Sequence, residues 1–406
     1  MNIFESNIRG KKVLVFGLGR QGGGAGDASW LKKHGAIVRL SDQDLTLVPE
    51  GQTKEQIDWA EIIIKNPGVR DDHELIVYAK TQGKPVLTSI AIFVKYSPVK
   101  TIGVTGTRGK STTVALIAAV LEVVYPGQVL TGGNIPGTSG LSLFDQVIGK
   151  KYAILELSSF QLHNFHDLKV SPNYSLFTNL YPDHLNRYEN MDNYRSDKEA
   201  ICLYQKPDDF CVKFPDAELV RDWETILPGL HNRENIAGMW ALLSHLGIPE
   251  ATARQVVSKF KGIPFRQETI AEVDGIVYIN DTTASTPIAA VKALQGATRP
   301  TIWITGGDDK KLPFDVLLTE VKNNAYLKKI VILGSKKIPQ YTSELRKIAG
   351  DKIIGTATSI QAAIDLARSV ASRGDAILLS PAFASFDLFQ NEFDRGRQFN
   401  EVVGSL

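Results

Sequence analysis

The chain has 406 residues, too many for one ordinary core and suited to two or three domains of roughly 150 residues each. Its 46 basic and 44 acidic side chains leave a net charge of +2, so no global field recruits nucleic acid or a membrane, and an anionic ligand needs a local site. There is no uninterrupted apolar stretch of membrane-spanning length, "MNIFESNIRGKK" lacks the apolar core of a signal peptide, and Cys202 and Cys211 have no metal-ligand spacing; a reduced, cytoplasmic, soluble protein is expected.

The first block runs from Lys11 to about Lys95. It opens on the strand "KVLVFG", continues through a helix containing "ASWLKKHG" and a strand "AIVRLSD", and adds "EIIIKNPGV" and "KPVLTS". Short strands alternating with helical patterns predict a small parallel α/β unit. The first strand runs into Gly17, Gly19 and Gly22 with the spacing G-x-G-x-x-G, and Asp42 follows about 20 residues later, the pattern of a dinucleotide-binding turn. On residues 11–42 alone the chain would be a dehydrogenase. The proline and serine of "YSPVK" (96–100) predict a linker.

The second block opens with "TIGVTGTRGKSTTVALIAAVLEVV", a strand, a glycine loop and an apolar-faced helix. The loop fits G-x-x-G-x-x-G-K-[ST] through Gly103, Gly106, Gly109, Lys110 and Ser111, one position off the stricter nucleotide-loop spacing. Such glycines let backbone N–H groups converge on phosphate oxygens at a helix N-terminus. Lys110 would reach the phosphates, and Ser111 or Thr112 would offer a hydroxyl to Mg²⁺. "YAILELSS" and "YSLFTNL" predict buried strands, and Glu156 at the end of the first is a carboxylate suited either to Mg²⁺ or to an ion pair. Asp183, His184 and Lys198 fall in "TNLYPDHLNRYENMDNYRSDKEAI", and "HNRENIAGMWALLSHLG" predicts a helix ending at Gly247.

The third block begins near Gly262. Four strands, "IVYIND", "TIWITGGDD", "KIVILGS" and "DAILLSPA", alternate with helical segments and predict a second doubly wound unit. Its last helix, read from "SFDLFQNEFDRGRQFNEVV", places Phe386, Phe389, Phe393 and Phe399 at roughly helical spacing, as a core stripe.

"TGTRGKST", "LELSSFQL", "TNLYPDHLNRY", "DKEAI" and "LHNREN", in this order, resemble the Mur ligases, and with the ending "LSPAFASFDLFQNEFDRG" look most like the branch that adds D-glutamate. The resemblance spans essentially the whole chain. It implies three α/β domains: a Rossmann-like substrate domain (1–97), a central phosphate-loop ATPase-type parallel sheet (98–262) and a Rossmann-like C-terminal domain (263–406). It also implies ATP-dependent ligation of glutamate to UDP-N-acetylmuramoyl-L-alanine by a cytoplasmic monomer that touches neither nucleic acid nor membrane.

Carried onto these residues, the resemblance implies ATP contacts at Gly106, Thr107, Gly109, Lys110, Ser111, Thr112, Asn235, Arg266 and Asp281. Two magnesium ions would be held by Ser111, Glu156, His184 and Lys198, the last as its carbamate, with Lys110, His184 and Lys198 the catalytic group. Gly19, Arg20 and Gln21 become the cradle of a UDP diphosphate, with Asp42, Asn66, Gly68 and Asn134 completing that substrate's site. Lys310, Ser385 and Phe386 would take the glutamate. The family's usual "DSKAT" stands here as "DTTAS", so Thr283 replaces a lysine, and Phe265 replaces the histidine common before the arginine. These departures bear on the identity and stereochemistry of the amino acid, with Lys311 or Arg395 as possible replacement cations. The run Gly22–Gly24 is richer than the family's and has no explanation at this level. A folylpolyglutamate synthase or cyanophycin-type ligase would leave the first block unaccounted for. A non-catalytic nucleotide sensor would leave Lys110, Glu156, His184 and Lys198 without a purpose.

Overall fold

A computed structural model describes residues 3–19, 22–135, 138–183, 187–227, 229–308, 314–334, 340–385 and 388–406. The polypeptide forms two compact units, residues 1–260 and 261–406.

The first unit contains two parallel sheets. One has the order β2-β1-β3-β4, from β1 (Lys12–Phe16), β2 (Ile37–Ser41), β3 (Ile62–Lys65) and β4 (Val86–Leu87). The other has the order β6-β7-β5-β8-β9, from β5 (Lys100–Thr105), β6 (Val129–Gly133), β7 (Tyr152–Glu156), β8 (Tyr174–Phe177) and β9 (Phe210–Lys213). The expected join near residue 97 falls inside this unit because one apolar core serves both sheets: Val13, Val15, Leu31 and Phe93 pack in the same cluster as Leu141, Leu155 and Phe165. In the first sheet the strand order reverses at β1, whose neighbours are β2 and β3, and in the second at β5, between β7 and β8. Crevices at the carboxyl ends of such strands are where open α/β sheets bind ligands. The glycine turn follows β1 and the phosphate loop follows β5.

The second unit is a six-stranded sheet of order β10-β11-β15-β12-β13-β14. Its strands are β10 (Glu268–Val273), β11 (Ile276–Asn280), β12 (Thr301–Thr305), β13 (Leu327–Leu333), β14 (Ile353–Ala357) and β15 (Ala376–Leu379). Among the described strands, β10 alone is antiparallel to its neighbour. The α/β class is as expected. No described helix is long and apolar enough to cross a membrane.

Two expectations are corrected. Cys202 and Cys211 are joined as a disulfide between the helix Met191–Leu203 and β9, although the sequence suggested reduced thiols. The last helix begins only at Glu392, because the Asn391 side chain accepts from the Asp394 N–H and caps it there. Phe389 therefore lies before the helix, Phe393 is 42% exposed and Phe399 is buried, so there is no phenylalanine stripe among the described residues. The buried face carries Arg395, Gly396, Phe399 and Val403.

Candidate active site

The phosphate loop and Glu156 leave the second sheet at one edge, since Val104 of β5 pairs in register with Glu156 of β7. Gly106 (φ +150°) and Gly109 (φ +79°) hold backbone conformations that side chains rarely adopt. A methyl on Gly106 would strike the Thr178 hydroxyl, and one on Gly109 the side-chain amide of Asn235, so Asn235 is packed against the loop. The helix Lys110–Val124 starts with no side-chain cap, and a helix N-terminus of this kind favours anions. Lys110 curls back to donate to the Gly106 and Thr107 carbonyls at 3.1 and 3.2 Å. Ser111 and Thr112 are half-buried in that first turn.

The loop is shaped by the segment after β8, a contribution sequence reasoning missed. The Arg108 N–H donates to Asn179 Oδ1 (2.9 Å), the Thr107 N–H to the Asn179 carbonyl (3.0 Å) and the Thr178 hydroxyl to the Arg108 carbonyl (2.6 Å). Lys198, 2% exposed on the helix Met191–Leu203, donates to the Gly106 carbonyl at 2.8 Å. Burial, with the charge of Lys110 adding to it, pushes the Lys198 ammonium down to about 7 against the opposing pull of Asp183 and Asp197. Glu156 is buried and accepts from the Asn134 amide at 3.3 Å. A buried carboxylate within a phosphate-loop sheet edge is the hard-oxygen donor Mg²⁺ takes, so these residues fit that ion. His184 lies outside the described residues.

At the first sheet, Asp42 braces the glycine turn: one carboxylate oxygen accepts the Gly19 N–H at 2.9 Å, the other the Asp44 N–H at 2.8 Å. Asn66 accepts the Gly68 N–H through Oδ1 (2.8 Å), and its amide lies 3.1 Å from where a Gly19 methyl would sit. Gly17, Gly19, Asn66 and Gly68 line a cavity of about 360 Å³ together with Asn134, Ser158 and Gln161. The structure thus brings Asn134 together with the glycine turn. Ser158 and Gln161 were missed; their signal was the S-x-x-Q capping box, which forms at the start of the helix Ser159–His163. Arg20 and Gln21 lie outside the described residues.

In the second unit, Asp281 follows β11 and accepts from the Ser380 hydroxyl (2.8 Å) and the Gln267 N–H (3.1 Å). Burial pushes its carboxyl up to about 7, against the hydrogen bonds from Ser380 and Gln267 and the charge of Arg266. An acid raised in this way adds stability below its unfolded value of about 4, and that stability is lost as pH rises towards 7. Asp281→Asn should therefore flatten the fall in Tm between about pH 4 and about pH 7; an equal fall in variant and wild type would refute the assignment.

The two departures from the family pattern touch each other: the Thr283 hydroxyl and N–H both donate to the Phe265 carbonyl, at 2.9 and 3.2 Å. Arg395 is fully buried and donates to the Thr282 hydroxyl (2.9 Å) and carbonyl (3.0 Å). Ser385 is buried nearby, in a small pocket with Gly306, Gly307 and Arg395, and its hydroxyl has no partner among the described residues. Lys310, Lys311 and Phe386 lie outside the described residues.

The Mur ligase middle domain matches residues 104–238, and the Mur ligase glutamate ligase domain residues 265–383. The UDP-N-acetylmuramoylalanine–D-glutamate ligase of Roseiflexus sp. is 30% identical, with 98% of this chain and 99% of that protein aligned. The protein of the same name from Clostridium kluyveri is 32% identical over 99% and 98%. Among solved structures, UDP-N-acetylmuramate–alanine ligase from Thermotoga maritima shares the fold at a TM-score of 0.56 and 20% identity, over 97% of this chain and 99% of that one. The MurF ligase from the same organism, in complex with ADP, gives 0.56 at 16% identity over 99% and 97%.

Proposed function

The chain belongs to the Mur ligase family, whose members are ATP-dependent amide-bond-forming ligases that use Mg²⁺, and from that premise we propose that it joins D-glutamate to UDP-N-acetylmuramoyl-L-alanine. The observation that carries this reading is the sheet edge where the phosphate loop, Glu156 and buried Lys198 converge, beside a cavity walled by the glycine turn and Asn134. In the reaction proposed, the substrate's terminal carboxylate attacks the γ-phosphate of ATP, giving an acyl phosphate and ADP. The amine of glutamate then adds to the acyl carbon, and phosphate leaves as the amide forms.

Every reacting partner is anionic, so the protein's first task is to gather and neutralise charge. Lys110 and the loop N–H groups hold the phosphates. Ser111, Glu156, His184 and Lys198, the last as its carbamate, would hold two magnesium ions, which neutralise charge on the transferring phosphoryl group when bound. Gly19, Arg20, Gln21, Asn66, Gly68 and Asn134 would bind the nucleotide-sugar, with Asp42 bracing the turn. Asn235, Arg266 and Asp281 would complete the ATP contacts, and Lys310, Ser385 and Phe386 would take the glutamate. We assign these tasks to segments 1–97, 98–262 and 263–406, working as a monomer in the cytoplasm.

Phosphate release tests the assignment, with UDP-N-acetylmuramoyl-L-alanine and the amino acid each omitted in turn. Turnover of ATP that ignores the nucleotide-sugar would sink it. The Thr283–Phe265 pair, standing where the family has a lysine and a histidine, favours a second reading for the amino acid alone. Running the same assay with L-glutamate decides between the enantiomers.

A further inference from the structure

The run Gly22-Gly23-Gly24-Ala25-Gly26-Asp27 is absorbed only in part by the glycine turn. Gly22 caps the helix Gly23–Lys33, and that helix packs against Thr138 and Ser139. A methyl on Gly26 would come within 2.6 Å of Ser139 Cβ, and one on Gly23 within 3.3 Å of the Thr138 carbonyl oxygen. Side chains there would force the two backbones apart. The small residues make room for one polar contact at the centre: Asp27, 6% exposed, accepts from the Ser139 hydroxyl at 2.5 Å and the Leu141 N–H at 3.2 Å. Ser139 Oγ in turn accepts the Ser142 N–H at 3.1 Å, which fixes the turn that follows.

These ties cross from the first sheet to the second beside the cavity of about 360 Å³, whose lining includes Asp27 together with Gly19, Asn134 and Gly140. Gly140 is itself wedged against Ser89 and Ile90, where a methyl would lie 2.6 Å from the Ile90 nitrogen. A carboxylate buried this deeply is expensive unless its bonds do something an apolar residue would not. Burial pushes its carboxyl up to about 6, against hydrogen bonds from Ser139, Leu141 and Ser89 that favour the ion.

We propose that Asp27 is a positioning residue for the nucleotide-sugar, setting the separation between the glycine turn that takes the diphosphate and Asn134 at the reacting end. Asp27 acts through Ser139 and Leu141, to which its carboxylate is tied. The inference rests on the nucleotide-sugar reading given above. A substrate held at both ends is sensitive to the distance between its two anchors, because misplacement of about 1 Å forfeits much of the benefit of orientation. ATP, held at the phosphate loop, depends less on that distance.

The test is steady-state kinetics on the full chain with both substrates varied, for the wild type, Asp27→Ala, Asp27→Asn and Ser139→Ala. Asp27→Ala should raise the KM for UDP-N-acetylmuramoyl-L-alanine about tenfold, which corresponds to about 1.4 kcal/mol, and leave the KM for ATP within about twofold. Asp27→Asn keeps an acceptor oxygen of the same shape and should restore the wild-type KM. Ser139→Ala keeps the carboxylate and loses one donor, so it should give the same split at about a third of the size; it also keeps the test alive if Asp27→Ala does not fold. Two KM values that rise together, or an unchanged nucleotide-sugar KM in Asp27→Ala or Ser139→Ala, would overturn the positioning role alone. A wild-type enzyme whose ATP turnover ignores the nucleotide-sugar would overturn the functional reading, and this inference with it.

Discussion

Replacing Lys198 by alanine should abolish ligation, with a loss on the order of 10³-fold in kcat, the scale on which removing one preorganised electrostatic group slows a charged transition state. The expectation rests on where the amine sits. It is buried, it donates to the Gly106 carbonyl of the phosphate loop, and the charge of Lys110 lies close enough to disfavour a second cation. Two roles fit that position, and they separate experimentally. If Lys198 only braces Gly106, then Lys198→Arg, which keeps a charged donor, should retain a substantial share of activity. If the amine must be uncharged to take up CO₂ as a carbamate, arginine is as inactive as alanine, because a guanidinium does not deprotonate in a protein.

With the ammonium pushed down to about 7, a large fraction is neutral at physiological pH and more becomes so as pH rises. Wild-type activity should therefore fall in CO₂-stripped buffer and return with bicarbonate. Phosphate release in the three proteins, with and without bicarbonate, reads both effects. An arginine variant above about a tenth of wild-type activity, the loss expected of a merely supporting group, together with indifference to bicarbonate, would leave Lys198 as a brace.

How much could be read without coordinates depended on how local each feature is. Interior strands such as β5, β7, β12 and β15 announce themselves as apolar runs because neighbours cover both their faces and both their edges. The four strands that the sequence did not single out, β6, β9, β10 and β14, are the outermost strands of the second and third sheets. Each is only partly buried, as in β10, so its polar residues blur the apolar signal.

The site divides in the same way. The phosphate loop and the glycine turn lie within about a dozen residues of chain and carry their spacing with them. Asn179 bracing Arg108, Asp27 reaching Ser139 and Thr283 meeting Phe265 join residues 71, 112 and 18 positions apart. No periodicity in a single sequence encodes such pairs. The resemblance to a family supplied Asn235 as an ATP contact; its packing against Gly109 is a property of the folded chain alone.

That packing makes Gly109→Ala the second large effect: ATP affinity should fall by about 10²-fold, or about 2.7 kcal/mol. Two penalties combine. At φ +79° an alanine is strained by about 1–2 kcal/mol. Its methyl would also overlap Asn235, lying 2.9 Å from Cγ and 3.1 Å from Nδ2, and Asn235 is 3% exposed on the helix Leu230–His245 with little room to retreat. The loop must open or Asn235 must leave, and each outcome spoils the phosphate cradle.

Gly127 separates the two penalties, since it sits at φ +70° and a methyl there would meet nothing within 4 Å. Gly127→Ala carries the backbone strain alone and should lower Tm slightly without touching ATP binding. In a double-mutant cycle, Gly109→Ala should weaken ATP less in an Asn235→Ala background than in the wild type, because the obstructing amide is gone. Titration of a non-hydrolysable ATP analogue into the four proteins of the cycle and Gly127→Ala measures every term. Additive losses at 109 and 235 would mean that the backbone conformation, and not the contact with Asn235, is what the loop requires of Gly109.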